Sequence, residues 1–314
     1  MVTKIIDFIK TARPRQWVKN LTLYAGLIFT GNFLSPLVWW KDFWTVTQAV
    51  GVFTVVASGI YFFNDLLDIE ADKAHPFKKK RPIASGRISK LQALTVFFCC
   101  SFLGLYWANQ LSQLFALVTA GYWLMQIFYS IWLKNIEVVD VFIIAMGFFL
   151  RVFAGAIVMN AHLSIWFLLC VISVSLFLAV GKRRGEMAQM GQTAAALHRK
   201  VMSIYTHSLL DTYLSMFATT SFLSWALFAF NFYEQVGDSA PASLVLISRT
   251  LTINKWLMAT IPVVIFGIMR YLQVVYDGAK AETPEKIILT DLPLLTSVAI
   301  WAAVVIGVLY LGPL

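Results

Sequence analysis

The sequence predicts an all-α, polytopic membrane protein: nine transmembrane helices in a single domain, with the N-terminus in the cytoplasm. Three observations carry that prediction. The 314-residue chain is 59% hydrophobic and 13% charged, with a mean hydropathy of +0.74, whereas soluble domains carry roughly 25% charged residues. Apolar runs of about 20 residues recur along it, the length a helix needs to cross a bilayer, and the alternating ten-residue segments of a β-barrel are absent. The basic residues fall almost entirely on one set of alternate connecting segments.

Residues 1–15 come first. Ile5, Ile6, Ile9 and Ala12 share one side of a helix, with Lys4, Asp7 and Lys10 elsewhere. This is the pattern of an interfacial amphipathic helix rather than a cleaved leader. Spans follow near 17–34, 44–64, 89–107, 111–132, 138–159, 163–181, 209–232, 254–273 and 294–312. With the N-terminus inside, the inner segments hold 21 of the 25 Lys and Arg, and the outer segments hold only Lys41, Arg249 and Lys255. That asymmetry sets an N-in, C-out topology. The net charge of +9 thus reflects topology, and no nucleic acid is needed to explain it. The acids follow the bases, with only Asp42, Glu234 and Asp238 outside. The positive-inside rule is indifferent to acids, so clustered, mixed charge on the cytoplasmic face points to a polar site there. The longest loops, near 73–88, 182–208 and 274–293, all lie on that face. Cys99, Cys100 and Cys170 fall inside apolar runs without metal-ligand spacing and read as small core residues.

The densest chemistry is "NDLLDIEADKAHPFKKKRPIASG", Asn64 to Gly86. If the second span continues as a helix, Asp65, Asp68 and Asp72 stand at i, i+3 and i+7, and Asn64 and Asp68 at i, i+4, all on one face. Glu70 lies about 200° round from Asp68. Like charges at this spacing repel, and a divalent cation resolves the conflict. Mg²⁺ takes hard oxygen ligands and commonly bridges carboxylates to substrate phosphates. A solvated acidic helix end, or a cation site in an ion-coupled transporter, is the competing reading. The near absence of charge from the outer half of the bundle counts against a transporter. Directly after the acids come His75, Lys78, Lys79, Lys80 and Arg81, which suit phosphate recognition and equally suit anionic lipid headgroups.

Further along, "YSIWLKNIEVVDVFIIAMGFFLR" places Tyr129 and Lys134 at the end of the fourth span and Asp140 at the start of the fifth. Arg151 follows three helical turns later on the Asp140 face, near mid-membrane depth. An arginine there must face the bundle interior, to meet substrate or to form a structural ion pair. "AVGKRRGEM" closes the sixth span with Lys182, Arg183 and Glu186, and "RPRQWVKN" carries Arg13, Arg15 and Lys19, with Trp17 as an interfacial anchor. Nothing supports nucleophilic catalysis: no Ser or Cys has a His partner in a suitable setting.

The Asn-Asp-x-x-Asp-x-x-x-Asp pattern at Asn64–Asp72 resembles the first aspartate-rich motif of the UbiA superfamily of intramembrane prenyltransferases. "RPRQWVKN", the Asn64–Gly86 stretch, "LRVFAGA" and "GKRRGE" together resemble its decaprenyl-phosphate phosphoribosyltransferases. The resemblance implies a UbiA-like bundle and transfer of 5-phosphoribose from phosphoribosyl diphosphate to a polyprenyl phosphate. Diphosphate is released, and the product feeds cell-wall arabinan synthesis at the inner (plasma) membrane. It implies Mg²⁺ on Asn64, Asp65, Asp68 and Asp72, and substrate contacts from Arg15, Lys19, His75, Lys78, Lys80, Arg81, Tyr129, Lys134, Lys182, Arg183 and Glu186. Asp68, Asp140, Lys134 and Arg151 are the expected catalytic set, with Asp140 orienting Lys134 or Arg151 or steadying the ribosyl cation. Aromatic-acceptor members carry a second acidic motif; here that region offers only Glu137 and Asp140. A prenyltransferase acting on an aromatic or lipid acceptor is the alternative within the superfamily. The lipid tail would lie among membrane lipids between spans, and homo-oligomerisation stays open.

Overall fold

Helices account for nearly every described residue, because a chain this apolar must satisfy its backbone groups internally. The computed structural model describes residues 2–29, 36–74, 78–198, 205–236, 253–277 and 284–310. The chain divides into two compact units, Met1–His162 and Leu163–Leu314. In the first unit, α1 (Val2–Ala12) leads into a 3-10 helix (Pro14–Leu23) and the short α2 (Tyr24–Phe29). Then come the long α3 (Pro36–Leu67), α4 (Ile69–Ala74), α5 (Lys90–Leu111), α6 (Gln113–Ile131) and α7 (Val139–Val158). The second unit holds α8 (Ile165–His198), α9 (His207–Val236), a 3-10 helix (Ile253–Thr260), α10 (Ile261–Asp277), α11 (Pro284–Thr290) and α12 (Leu292–Tyr310).

Among the described residues eight helices are long and apolar enough to cross a membrane: Trp40–Leu67, Lys90–Leu111, Gln113–Ile131, Val139–Val158, Ile165–Ala188, His207–Phe232, Leu257–Asp277 and Leu292–Leu309. They correspond to the second through ninth expected spans. The expected first span, 17–34, is not a continuous helix over its described part. Pro14 starts a 3-10 helix, and α2 takes over at Tyr24. The reason is tertiary. Asn20 is buried and donates from Nδ2 to Thr54 Oγ1 of α3 at 3.0 Å, and the segment packs against α3 and α7. The expected 182–208 loop is also partly helical, since α8 runs on to His198. Its continuation is rich in Ala, Met, Glu and Gln, which are good helix formers.

In the first unit α3 is the central element, packed against α1, α5, α6, α7 and the 3-10 helix. Phe53, Val56 and Ile60 of α3 pack with Leu23, Phe115 and Tyr122 in one apolar cluster. A second cluster lies where α3 meets the polar stretch: Phe62, Ile69, Ile83 and Ile88, with Phe8 and Ala12 of α1 beside them. It pins the 81–88 turn against the end of α3. Ser89 caps α5 with a reciprocal box, its Oγ accepting from Gln92 N and Gln92 Oε1 accepting from Ser89 N, each at 3.2 Å. On α1, Ile5, Ile6 and Ile9 are exposed together, while Asp7 is buried and paired with Arg87 at 3.1 Å.

The close approach of α7 to the 3-10 helix requires glycine at one point. A Cβ on Gly155 would stand 2.1 Å from the backbone oxygen of Leu23, whereas one on Gly121 of α6 would meet nothing within 4 Å. Gly155→Ala is therefore expected to lower thermal stability by about 1–3 kcal/mol. Gly121→Ala should be neutral or raise stability by up to about 1 kcal/mol. Thermal unfolding of the two detergent-solubilised variants checks the difference.

Candidate active site

The acidic stretch sits at the junction of α3 and α4. The register predicted from sequence holds there, because Asp68 N donates to Asn64 O at 3.0 Å and Asp72 N to Asp68 O at 2.7 Å. Only the turn at Asp68 separates the two helices. Asp65 and Asp72 are 2% and 3% exposed, Asp68 is partly buried, and Glu70 points outward to pair with Lys73 at 3.1 Å. Three bases from three other places in the chain converge on these acids. Arg13, at the junction of α1 and the 3-10 helix, donates from Nη2 to Asp65 Oδ1. Arg81 Nη1 donates to the same oxygen at 3.0 Å and to Asp72 Oδ2 at 2.8 Å. Lys134 Nζ, in the turn after α6, donates to Asp68 Oδ1 at 2.6 Å, and Asn64 Nδ2 donates to Asp68 Oδ2 at 3.1 Å.

Arg13 has φ 55° and ψ 63°, the left-handed region that favours glycine. Its guanidinium lies 4.9 Å from the Tyr61 ring centroid. Within "RPRQWVKN" the residues expected in the site are Arg15 and Lys19, and it is Arg13 that reaches an acid. In the structure Arg15 is exposed, and Lys19 Nζ lies 5.8 Å from the Phe148 ring centroid. Of the basic run, Lys78, Lys79 and Lys80 form an exposed 3-10 turn, and Arg81 reaches Asp65 and Asp72. Arg87 braces that turn by donating to Lys80 O at 2.7 Å. His75 lies outside the described residues.

Asp140 is fully buried in the first turn of α7, and Tyr129 is partly buried near the end of α6. Lys134, one of the two bases that Asp140 was expected to orient, pairs with Asp68. Arg151 stands about 16 Å further along α7. It makes no ion pair among the described residues. Its Nε donates to Asn20 Oδ1 at 2.8 Å, Nη1 to Gly147 O at 2.7 Å and Nη2 to Tyr122 OH at 2.7 Å. The Tyr122 and Phe148 ring centroids lie 4.8 Å and 5.9 Å from its Cζ. A buried guanidinium is thus solvated by neutral oxygens and ring faces, which ties the 3-10 helix, α6 and α7 together.

The second unit has its own charged groups. Arg183, completely buried, donates from Nη1 to Glu186 Oε2 at 2.8 Å, with Lys182 partly buried beside it. Arg184 donates to Asp211 at 2.7 Å and lies 5.1 Å from the Tyr276 ring. Arg270 grips Asp291 through Nε at 3.0 Å and Nη2 at 2.8 Å.

The donors at the end of α3 fit a hard divalent cation. Asp65 and Asp72 converge on one point, now held by Arg81 Nη1, and Asp68 stands on the same face. Among the described residues no three acidic, His or Cys side chains close round a single point. Mg²⁺ commonly takes one or two carboxylates from a protein and fills its shell from phosphates and water, and of the three acids it is Asp65 and Asp72 that share one partner atom.

The chain belongs to the UbiA prenyltransferase family, whose match covers residues 21–287. It is similar over nearly its whole length to curated relatives named decaprenyl-phosphate phosphoribosyltransferase. The relative from Mycolicibacterium smegmatis is 34% identical over 311 residues, 98% of this chain and 93% of that one. The relative from Corynebacterium glutamicum is 30% identical over 308 residues, 98% and 87% of the two chains. A solved UbiA homologue from Archaeoglobus fulgidus, bound to GPP and Mg²⁺, superposes with a TM-score of 0.68 at 18% identity, covering 96% of this chain and 99% of that one. At that identity the likeness is one of fold.

The Arg151 network yields a measurable expectation. Arg151→Leu removes three hydrogen bonds, each worth about 0.6–1.7 kcal/mol inside a membrane, so a loss of about 2–5 kcal/mol in unfolding free energy is expected. In a double-mutant cycle with Asn20→Ala, the two losses should fall short of additivity by about 0.5 kcal/mol or more.

Proposed function

We propose that the chain transfers the 5-phosphoribosyl group of phosphoribosyl diphosphate to a polyprenyl phosphate of the decaprenyl kind, supplying a cell-wall arabinan precursor. The observation that carries this reading is the set of three carboxylates met by Arg13, Arg81 and Lys134 at one helix end. It lies in a chain whose near-full-length relatives bear that activity in their names. Acids alone would suit a metal. Acids interleaved with this many bases suit a substrate pair rich in phosphate.

In this reading Asp65, Asp68 and Asp72, with Asn64, would hold Mg²⁺, which neutralises charge on the leaving diphosphate. Arg13, Arg81 and Lys134 bind phosphate oxygens and steady the charge that grows as the C1–oxygen bond breaks and its electron pair passes to diphosphate. An oxygen of the acceptor phosphate forms the new bond to C1. That phosphate is already anionic, so no proton has to be removed. Positioning and charge stabilisation therefore supply most of the catalysis. Asp140 is assigned to the ribosyl cation. Lys19, Tyr129, His75, Lys78 and Lys80 are assigned to substrate approach, and Lys182, Arg183 and Glu186 keep the substrate-binding role their sequence suggests. Arg151 acts by positioning the 3-10 helix.

The proposal includes an N-in topology of nine spans, counting residues 17–34, in the inner (plasma) membrane with the site facing the cytoplasm. It also includes α1 lying in the interface on Ile5, Ile6 and Ile9. The second reading, a prenyltransferase with an aromatic or lipid acceptor, is favoured by the fold shared with the homologue that carries GPP.

An acceptor assay separates the two. Protein in detergent is supplied with Mg²⁺, polyprenyl phosphate and phosphoribosyl diphosphate labelled in the ribose. Label should enter the lipid phase, and EDTA or Asp68→Ala should cut the rate by roughly 100-fold or more. Active transfer of a prenyl group from a prenyl diphosphate, with no ribose in the lipid, would replace this reading with the second.

A further inference from the structure

The charges at the end of α3 cancel. Asp65, Asp68 and Asp72 face Arg13, Arg81 and Lys134, and every one of the six is engaged in an ion pair. Two features of the cluster go beyond neutrality. The bases arrive from three separate elements, so their convergence is built by the tertiary fold and not by any local pattern. The layering is also one-sided. The side chains of Asp65 and Asp72 are 3% and 5% exposed, while the two arginines that cover them are 28% and 27% exposed. Over Asp65 and Asp72 water therefore meets the bases first, while the third pair is open on both sides, the Lys134 and Asp68 side chains being 19% and 27% exposed. Arg151 shows the contrast: its donors are used on fixed neutral acceptors inside the bundle.

From this convergence of partly exposed bases on the acids we infer that Arg13, Arg81 and Lys134 are exchangeable counter-ions, which hold the three carboxylates until a divalent cation takes them and then pass to the phosphates that arrive with it. The inference rests on the metal-diphosphate reading above and adds a coupling to it. A cation entering alone must push three bases off their carboxylates and leave them without a partner. A diphosphate entering alone must strip the bases from Asp65 and Asp72 and leave buried carboxylates uncompensated. Each event alone is costly, and together they restore every pairing. Metal and diphosphate must then strengthen one another, by the same factor in each direction. Arg13, which the sequence reading left out of the site, thereby becomes a residue that meets substrate phosphate.

Two binding measurements on purified protein in nanodiscs test this without turnover. The first uses Mn²⁺ as the probe, read from the electron paramagnetic resonance signal of the free ion, with no phosphate present. Arg13→Gln and Lys134→Gln, each lacking one counter-ion, should bind Mn²⁺ roughly tenfold more tightly than the parent protein. The second uses ³²P-labelled phosphoribosyl diphosphate at saturating Mg²⁺, which the same variants should bind roughly tenfold more weakly. A merely structural role would weaken both affinities or neither; only exchange moves them in opposite directions. Lys134→Gln disturbs the more exposed pair and carries the test if Arg13→Gln does not fold. Parent protein that binds Mn²⁺ through the carboxylates, with variants that bind it no more tightly, overturns the exchange and leaves the metal-diphosphate reading standing. Parent protein that retains neither Mn²⁺ nor label when both are supplied overturns the reading itself. So does tight Mn²⁺ binding that survives Asp65→Asn with Asp68→Asn.

Discussion

A buried carboxylate at the end of a membrane-spanning helix cannot stand uncompensated, and the first unit is organised around meeting that demand for Asp65. Its Oδ1 accepts from both Arg13 and Arg81. Removing one partner of a buried pair costs about 3–5 kcal/mol, toward the lower end here because both arginines are partly exposed. Each arginine also brings a segment with it. Arg13 fixes the junction of α1 and the 3-10 helix in a left-handed conformation. Arg81 folds the 81–88 turn over the second apolar cluster, where Ile83 and Ile88 are buried.

The rest of the unit holds those segments where the ion pairs need them. Asn20 joins the 3-10 helix to Thr54 of α3 and to Arg151 of α7, and Gly155 lets its backbone lie directly against α7. The deep polar network and the acidic cluster thus form two ends of one structure. The network holds the 3-10 helix inside the bundle, and the cluster uses the charge at its start. Asp7 with Arg87 closes the outer edge, tying α1 to the same turn that carries Arg81.

Much of this was legible in the sequence, and what was not has a physical reason. The long apolar runs announced eight helices, because hydropathy alone decides whether a segment suits lipid, while the polar continuation of α8 to His198 fell outside that signal. The i, i+3, i+7 spacing of Asp65, Asp68 and Asp72 announced their common face, because helical register is local. The change from 3-10 to α-helix over residues 17–29 was not legible. Its form depends on Asn20, whose partner Arg151 is 131 residues away. Nor could spacing tell that Arg81 turns inward while Lys78, Lys79 and Lys80 stay outside, since Ile83 and Ile88 decide it by burial. Arg151 was rightly placed inside the bundle, but its partners are a tyrosine, an asparagine and a carbonyl rather than Asp140. The one available hint at Arg13 was its place before Pro14, where the chain must change direction between α1 and the next helix.

The central claim is that the acids and bases at the end of α3 are one site with interchangeable partners. A structure of the protein with Mn²⁺ and phosphoribosyl diphosphate bound tests it most directly. The account predicts anomalous density for the metal against Asp65, Asp68 and Asp72, with Arg13, Arg81 and Lys134 moved onto phosphate oxygens. Metal and diphosphate bound elsewhere, with the Arg13–Asp65 and Lys134–Asp68 pairs intact, would contradict it.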